Sequence, residues 1–359
     1  MGAAASEGDC LVLAMQTFLA AVVIFGLMII FHEFGHFIVA KRVGIMVQEF
    51  SVGFGFKLAS FIKGETTYNL RVFPIGGFVR MAGMEQDDNV PVIDDEKSFN
   101  KKTVLQRIAV ITAGPLMNFV LAVLLFAAVF VYSGFPIPST VVGKLVPGGP
   151  AELAGLKDGD RIIAIDGEQV NRWEWEKMSA IINSHPDQVV TVTVERSGKR
   201  QKILVLTSHD EKGQGKMGIY PAYQNQRLDP FSALAKGTEY TGRFVVLIID
   251  LIGQMIIGKL PADLGGPVRI IYEIKNAVGL GVSNLLQLAA FLSINLGLFN
   301  LFPIPALDGS RIMFLVIEWL RGRPVDPVKE NLVHLIGFGI LLLFFVFVTY
   351  NDVLQLIQK

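Results

Sequence analysis

Cysteine is nearly missing from this 359-residue chain: Cys10 stands alone, so no internal disulfide can brace the fold. Net charge is missing too, with 32 basic and 32 acidic residues, and with it the basic excess that a nucleic-acid partner requires. Particular stretches lack charge altogether. Residues 108–132, 285–307 and 332–350 contain no Asp, Glu, Lys or Arg, and residues 11–40 contain Glu33 alone. Crossing a hydrocarbon core of about 30 Å takes about 20 residues of helix, and each run is long enough. With 52% hydrophobic residues and a mean hydropathy of +0.49, the composition excludes an ordinary soluble enzyme. It predicts a multi-pass α-helical membrane protein with four transmembrane helices.

No basic region precedes the first run, which therefore reads as a span rather than a cleavable signal peptide. The opening MGAAAS fits an N-myristoylation pattern, and we read it as chance. Residues 244–258 (FVVLIIDLIGQMIIG) are short for a fifth crossing and contain Asp250, so they read as an interfacial or re-entrant helix. Basic residues gather in 41–102 and 311–329; positive-inside reasoning puts those segments in the cytoplasm and both termini outside. The expected order is a first transmembrane helix in 1–43, a cytoplasmic loop in 44–104 and a second helix in 105–133. A β-rich domain in 139–208 and a linker with the interfacial helix in 209–283 follow. A third helix in 284–310, a cytoplasmic loop in 311–330, and a fourth helix with a tail in 331–359 complete the chain.

Residues 139–208 alternate β-type runs with Gly, Pro and Asp turns around one amphipathic helix at WEWEKMSAIIN. With GGPAELAGLKDGDRI at its front, this insert resembles a PDZ domain of bacterial envelope proteases. Such a domain takes an extended peptide or a C-terminus beside an edge strand, here residues 141–146 facing the helix at 173–183. The alternative is a spacer or gate that binds no peptide. By topology the insert lies outside the cytoplasm.

The chemistry is concentrated in HEFGH. Histidines four apart share a helix face with about 6 Å of rise between them, so His32 and His36 can reach one tetrahedral Zn²⁺. Glu33 follows the first histidine, where it can take a proton from a metal-bound water. A chain of this composition would contain HExxH by chance about 0.003 times. Lys41 marks the interface, which leaves His36 about 7 Å inside the apolar layer, a depth at which ionisable side chains are costly. Zinc needs a third protein ligand, and Asp308 in NLFPIPALDGSR is the acidic residue at matching depth beside the third run, with Gly309 allowing close backbone approach.

HEFGH, GPLMNF in the second run, NLFPIPALDG in the third and the PDZ-like insert together resemble the site-2 protease family of intramembrane metalloproteases, in its bacterial RseP/RasP-like branch. The likeness covers most of the chain. It differs from the two-PDZ form in having one such domain, and it reads LDGSR where Gly-Gly more often follows the aspartate. The resemblance implies that His32, His36 and Asp308 are zinc ligands and Glu33 the catalytic base. It also implies a bacterial inner-membrane location with the active site near the cytoplasmic side. Expected substrates are transmembrane proteins such as anti-sigma factors already trimmed on the outer side, or remnant signal peptides. The PDZ-like domain and the interfacial helix would limit access by bulky uncut proteins.

A transmembrane substrate hides its carbonyls in helical hydrogen bonds, so the cut segment must unwind and find other partners. Residues 67–83 read as strand, turn at Gly76-Gly77, strand; with Phe78 they offer an edge to an opened substrate, or form an ordinary hairpin. Pro303 and Pro305 interrupt the helix before Asp308, and Asn300 offers amide groups to an extended backbone. Asn118, beside Gly114-Pro115, suits substrate contact or helix packing equally. Two other classes compete with a protease. A non-enzymatic PDZ-containing adaptor would need a structural metal closed by four ligands. A transporter would usually carry repeated halves, and none is visible.

Overall fold

Lipid offers the backbone no hydrogen-bond partners, so a charge-free run must satisfy its own amides as a helix. That is what these runs do in the computed structural model, which describes residues 7–84, 95–210, 213–261 and 265–357; the MGAAAS opening lies outside them. Among the described residues four helices are long and apolar enough to cross a membrane, Leu11–Arg42, Val104–Tyr132, Val282–Leu301 and Val328–Gln355. In chain order, α1 (Glu7–Arg42) leads to the strands β1 (Val47–Lys63) and β2 (Thr66–Met81) and then to α2 (Val104–Tyr132). The insert follows as β3 (Phe135–Leu145), α3 (Pro150–Leu153), β4 (Arg161–Ile165), β5 (Glu168–Gln169), α4 (Trp175–Asn183), β6 (Val189–Arg196), β7 (Lys199–Leu206), β8 (Ser208–His209), β9 (Gly215–Lys216) and β10 (Ile219–Gln226). The chain continues through α5 (Pro230–Ile256), α6 (Pro267–Leu280), α7 (Val282–Leu301), α8 (Asp308–Arg321) and α9 (Pro327–Ile357). The insert, Phe130–Asp229, is one compact unit, and residues 1–129 with 230–359 belong to a second, helical unit. Residues 244–256 belong to α5, which is not one of the four membrane-length apolar helices, and 257–258 form the turn after it.

The insert is a sheet in the order β10-β3-β4-β6-β7, with β5 beside β4. Strand alternation builds its core: Val190, Val192 and Val194 of β6 point inward against Ile162, Ile165, Met178 and Ile182, all buried. Two expectations are corrected here. The domain does not end at 208, because β10 adds Ile219–Gln226 to the sheet. Nor is 141–146 a free edge: β3 is paired with β10 on one side, Tyr220 opposite Lys144, and with β4 on the other, Val141 opposite Arg161. The edge strands are β10 and β7.

In the helical unit the turn expected at Gly76-Gly77 lies instead at Gly64-Glu65, between β1 and β2. Gly76 and Gly77 fall inside β2. Gly76 has φ 125° and a Cβ there would strike the Phe54 ring, so glycine is required by backbone and neighbour rather than by a hairpin turn. Residues 49–52 of β1 are paired on both sides, Ser51 lying opposite Asn69 and also opposite Phe78. Residues 77–80 therefore flank the central strand. Arg71 locks this sheet, donating to Glu49 at 2.7 Å, to Ser51 at 2.7 Å and to the Gly55 carbonyl at 2.9 Å, with its guanidinium over the Phe78 ring. Burial works against the charge on Glu49, and the hydrogen bonds from Arg71 and Asn69 outweigh it, holding its carboxyl below the usual range.

The third apolar helix stops earlier than expected, at Leu301, and residues 302–307 form a loop before Asp308 opens α8. The stretch read as a cytoplasmic loop, 311–330, is thus largely helix. A buried cluster of Ala40, Ile45, Val47, Met81, Val110, Ile111 and Leu315 joins α1, both strands, α2 and α8. Arg107 of α2 and Glu318 of α8 form an ion pair whose side chains are 10% and 16% exposed. Removing one partner strands the other charge, so Arg107→Leu should lower stability by about 3–5 kcal/mol, while Arg107→Leu with Glu318→Leu recovers most of the loss. Thermal denaturation of the detergent-solubilised chain measures both; equal losses in the single and double variants would show that the pair does not hold α8.

Candidate active site

The helical spacing of His32 and His36 puts both rings on one face of α1, 4.8 Å apart between centroids. Asp308, at the first position of α8, meets them. Its Oδ2 lies 3.0 Å from Nε2 of His32 and 3.4 Å from Nε2 of His36, and the two Nε2 atoms are 3.2 Å apart. Asp308 Oδ2 is buried and has no hydrogen-bond geometry to either ring. Three potential ligand atoms thus face a shared centre, the arrangement a cation requires.

The rings are oriented from behind. His36 Nδ1–H donates to the Val110 carbonyl at 2.9 Å, leaving Nε2 with its lone pair. Pro115, further along α2, has no N–H to give to the Ile111 carbonyl, the neighbour of the one that His36 binds. The fully buried Asn118 has its Nδ2 3.2 Å from His32 Nδ1, an orientation that leaves Oδ1 buried without a partner. Turning the amide about its last torsion puts Oδ1 at the ring, where it accepts from Nδ1–H and leaves Nε2 free for metal. Asn118 therefore sits behind a ligand, inaccessible to a substrate backbone. Ser293 of α7 donates to the Asn118 carbonyl at 2.8 Å and fixes α2 against α7.

Close approach of α1 to α2 depends on two glycines. A Cβ on Gly35 would strike the Ala113 carbonyl, and one on Gly114 would run into the His36 ring. Gly309 likewise lies against the Phe302 carbonyl, which folds the loop back so that Asp308 faces α1.

Glu33 points from α1 toward β2, where the Val79 backbone N–H donates to its carboxylate and a Cβ on Gly77 would touch its Cγ at 3.5 Å. The structure thus brings Glu33, Phe78 and Val79 to one cavity of about 410 Å³ with the three potential ligands, while Gly77 lies beside the Glu33 side chain. Gly76 faces away, against Phe54. Asn300 donates Nδ2 to the Leu296 carbonyl of its own helix at 2.9 Å, keeping its oxygen for another donor. Pro303 and Pro305 lie in the loop before Asp308. A second cavity of about 640 Å³, lined by Arg107, Glu318, Glu330 and Asn331, shares Met84, Ile111, Arg311 and His334 with the first. Sequence reasoning missed His334, isolated in the last apolar run, and its only signal was a histidine in a stretch free of charge.

The profile of peptidase family M50 matches residues 20–344. The chain is similar to the zinc metalloprotease RasP of Geobacillus kaustophilus, at 34% identity over 94% of this chain and 98% of the relative. It is similar to the regulator of sigma-W protease RasP of Bacillus subtilis, at 33% identity over 95% of this chain and 99% of the relative. The PDZ domain of an SdrC-like protein from Listeria monocytogenes aligns to 24% of this chain and 88% of its own, at 22% identity and a TM-score of 0.22.

The packing of Gly114 against His36 gives a direct test. Gly114→Ala should reduce bound zinc by roughly 10-fold or more, the usual scale for disturbing a ligand's support, whereas Gly242→Ala, where a Cβ meets open space, should not. Zinc content by elemental analysis decides; equal retention in both variants would mean that His36 is not held as described.

Proposed function

This chain belongs to peptidase family M50, the site-2 proteases, a family of membrane-embedded zinc metalloproteases, and from that premise we propose that His32, His36 and Asp308 hold its zinc and Glu33 moves the proton in peptide-bond hydrolysis. The observation that carries this is the approach of the three ligand atoms, all within 4.8 Å of one another, from α1 and α8. Among the described residues the cluster supplies three ligands, which suits a catalytic centre with a position left for water and not a structural site closed by four. Zinc bound there would polarise the scissile carbonyl and acidify a water. Glu33, one residue from a ligand and lining the same cavity, takes the proton from the attacking water and delivers it to the amide nitrogen as the C–N bond breaks. Val110 and Asn118 keep the two imidazoles in the tautomer that presents Nε2. The adjoining polar cavity provides a route for water to a site otherwise enclosed by apolar helices.

The substrate backbone must be extended at the site. Residues 77–80 border Glu33, and an opened substrate strand adding beside Gly77 and Phe78 would place its carbonyls at the cavity. The Asn300 oxygen and the donor-free stretch at Pro303 and Pro305 line the exit from α7, where they would accept or tolerate such a strand. The substrates are single-pass membrane proteins trimmed on the outer side, of the anti-sigma-factor type that the Bacillus subtilis relative's name suggests, or remnant signal peptides. Charge distribution supports an orientation with the insert and both termini outside and the site near the cytoplasmic face of a bacterial inner membrane. A peptide or C-terminus joining the insert would pair with β10, whose outer side is the sheet's edge.

Glu33→Gln should retain zinc while cleavage of a model transmembrane substrate falls by about 10²- to 10⁴-fold. Turnover and metal content are measured on the same preparation. Zinc-loaded protein that still cleaves at the wild-type rate would remove Glu33 from the mechanism.

A further inference from the structure

The loop that delivers Asp308 is unusually short of internal support. Of residues 302–307, Pro303 and Pro305 have no N–H, Ile304 donates to Phe302 at 2.7 Å, and Leu307 donates back to Ile304 at 3.1 Å. Between them stands Ala306 with φ 73°, a left-handed conformation that an alanine disfavours and that nothing in its own side chain stabilises. A residue held there must be held by its surroundings.

The surroundings are one face of α9. The Ala306 N–H donates to Nδ1 of His334 at 3.1 Å. A backbone amide can only donate, so Nδ1 presents its lone pair, the ring is neutral and its proton sits on Nε2. That nitrogen faces the Glu330 carboxylate, one turn earlier, at 3.8 Å. Ser310, two residues beyond Asp308, places its hydroxyl 3.5 Å from the same Nδ1. Three residues on along α9, Gly337 is buried against Pro305, and a Cβ there would collide with the proline ring. His334 and Gly337 thus form a seat for Pro305 and Ala306, and the seat lies on a helix that contributes no ligand.

We propose that His334 is a positioning residue for the metal centre: as a neutral hydrogen-bond acceptor it holds the Ala306 backbone in its left-handed turn and so sets the Asp308 carboxylate at the distance from His32 and His36 that a shared zinc needs. The inference rests on the reading that these three residues bind zinc. It assigns a role at the metal centre to α9, whose Asp352, near the other end, accepts from the Gly266 and Arg269 N–H groups at the start of α6. Without the acceptor, Ala306 relaxes toward the right-handed region and the start of α8 shifts with it.

The test is zinc affinity of the full-length detergent-purified chain, read by competition with a chromogenic chelator. His334→Leu should weaken zinc binding by roughly 10- to 100-fold, the range for lost support behind a metal ligand. His334→Asn, whose Oδ1 can occupy the place of Nδ1, should bind close to wild type, while His334→Gln, whose longer chain puts its oxygen nearer the place of Nε2, should resemble His334→Leu. Adding Ala306→Gly to His334→Leu should recover part of the loss, because glycine adopts the turn without restraint. Wild-type affinity in His334→Leu and His334→Gln, or an Asn variant as weak as the Gln variant, would overturn the proposal. Wild-type protein that binds no zinc would instead remove the metal-site reading beneath it.

Discussion

The helical unit is organised around one convergence: Nε2 of His32, Nε2 of His36 and Oδ2 of Asp308 meet among apolar helices, where an unpaired polar atom is costly. Two of these atoms come from one helix turn and need only the 3.6-residue repeat. The third comes from a different part of the chain, so its delivery determines much of the remaining architecture. Gly35 and Gly114 let α1 and α2 approach closely enough that Val110 and Asn118 can reach the imidazoles. Gly309 folds the 302–307 loop back, and the Arg107–Glu318 pair holds α8 to α2.

The same layout explains why the carboxylate of Glu33, the proposed base, is adjacent to a sheet. Glu33 lies on α1 one residue after a ligand, and its side chain leaves the helix on the side where β2 passes. Gly77 is required by its pairing with β1, because a Cβ there would press on the Ser51 carbonyl at 2.8 Å, while Glu33 Cγ would be met at an ordinary 3.5 Å. Arg71 ties Glu49, Ser51 and Gly55 together beneath this strand, so the edge beside the site is stiffened by three hydrogen bonds. A rigid edge suits a protease that must capture an unwound backbone, because the ordering cost then falls on the substrate alone.

Much of this was legible in the residues. Three charge-free runs and a fourth whose only charge is Glu33 mark four helices, because the length needed to cross lipid and the cost of charge within it are both general. HEFGH announces a metal pair because its spacing is the helix repeat, and Asp308 stands out because so few acids border an apolar run. What could not be read was long-range. The Gly76-Gly77 pair carries the same local signal as a hairpin turn, and only contact with Phe54 and Ser51 shows it to be strand interior. The pairing of β10 with β3 joins residues far apart in sequence, so 141–146 looked like an edge when it is the second strand in. His334 and Asn118 have ordinary local surroundings; their placement behind Asp308 and His32 follows from tertiary packing.

The central claim concerns the coordination of one ion, and zinc K-edge X-ray absorption on the purified full-length chain tests it most directly. The account predicts stoichiometric zinc in a four-coordinate shell, with two imidazole nitrogens at about 2.0–2.1 Å and oxygen ligands at about 2.0–2.2 Å. A spectrum with one imidazole or none, with sulfur in the first shell, or unchanged in shell composition when Asp308 is replaced by alanine, would contradict it.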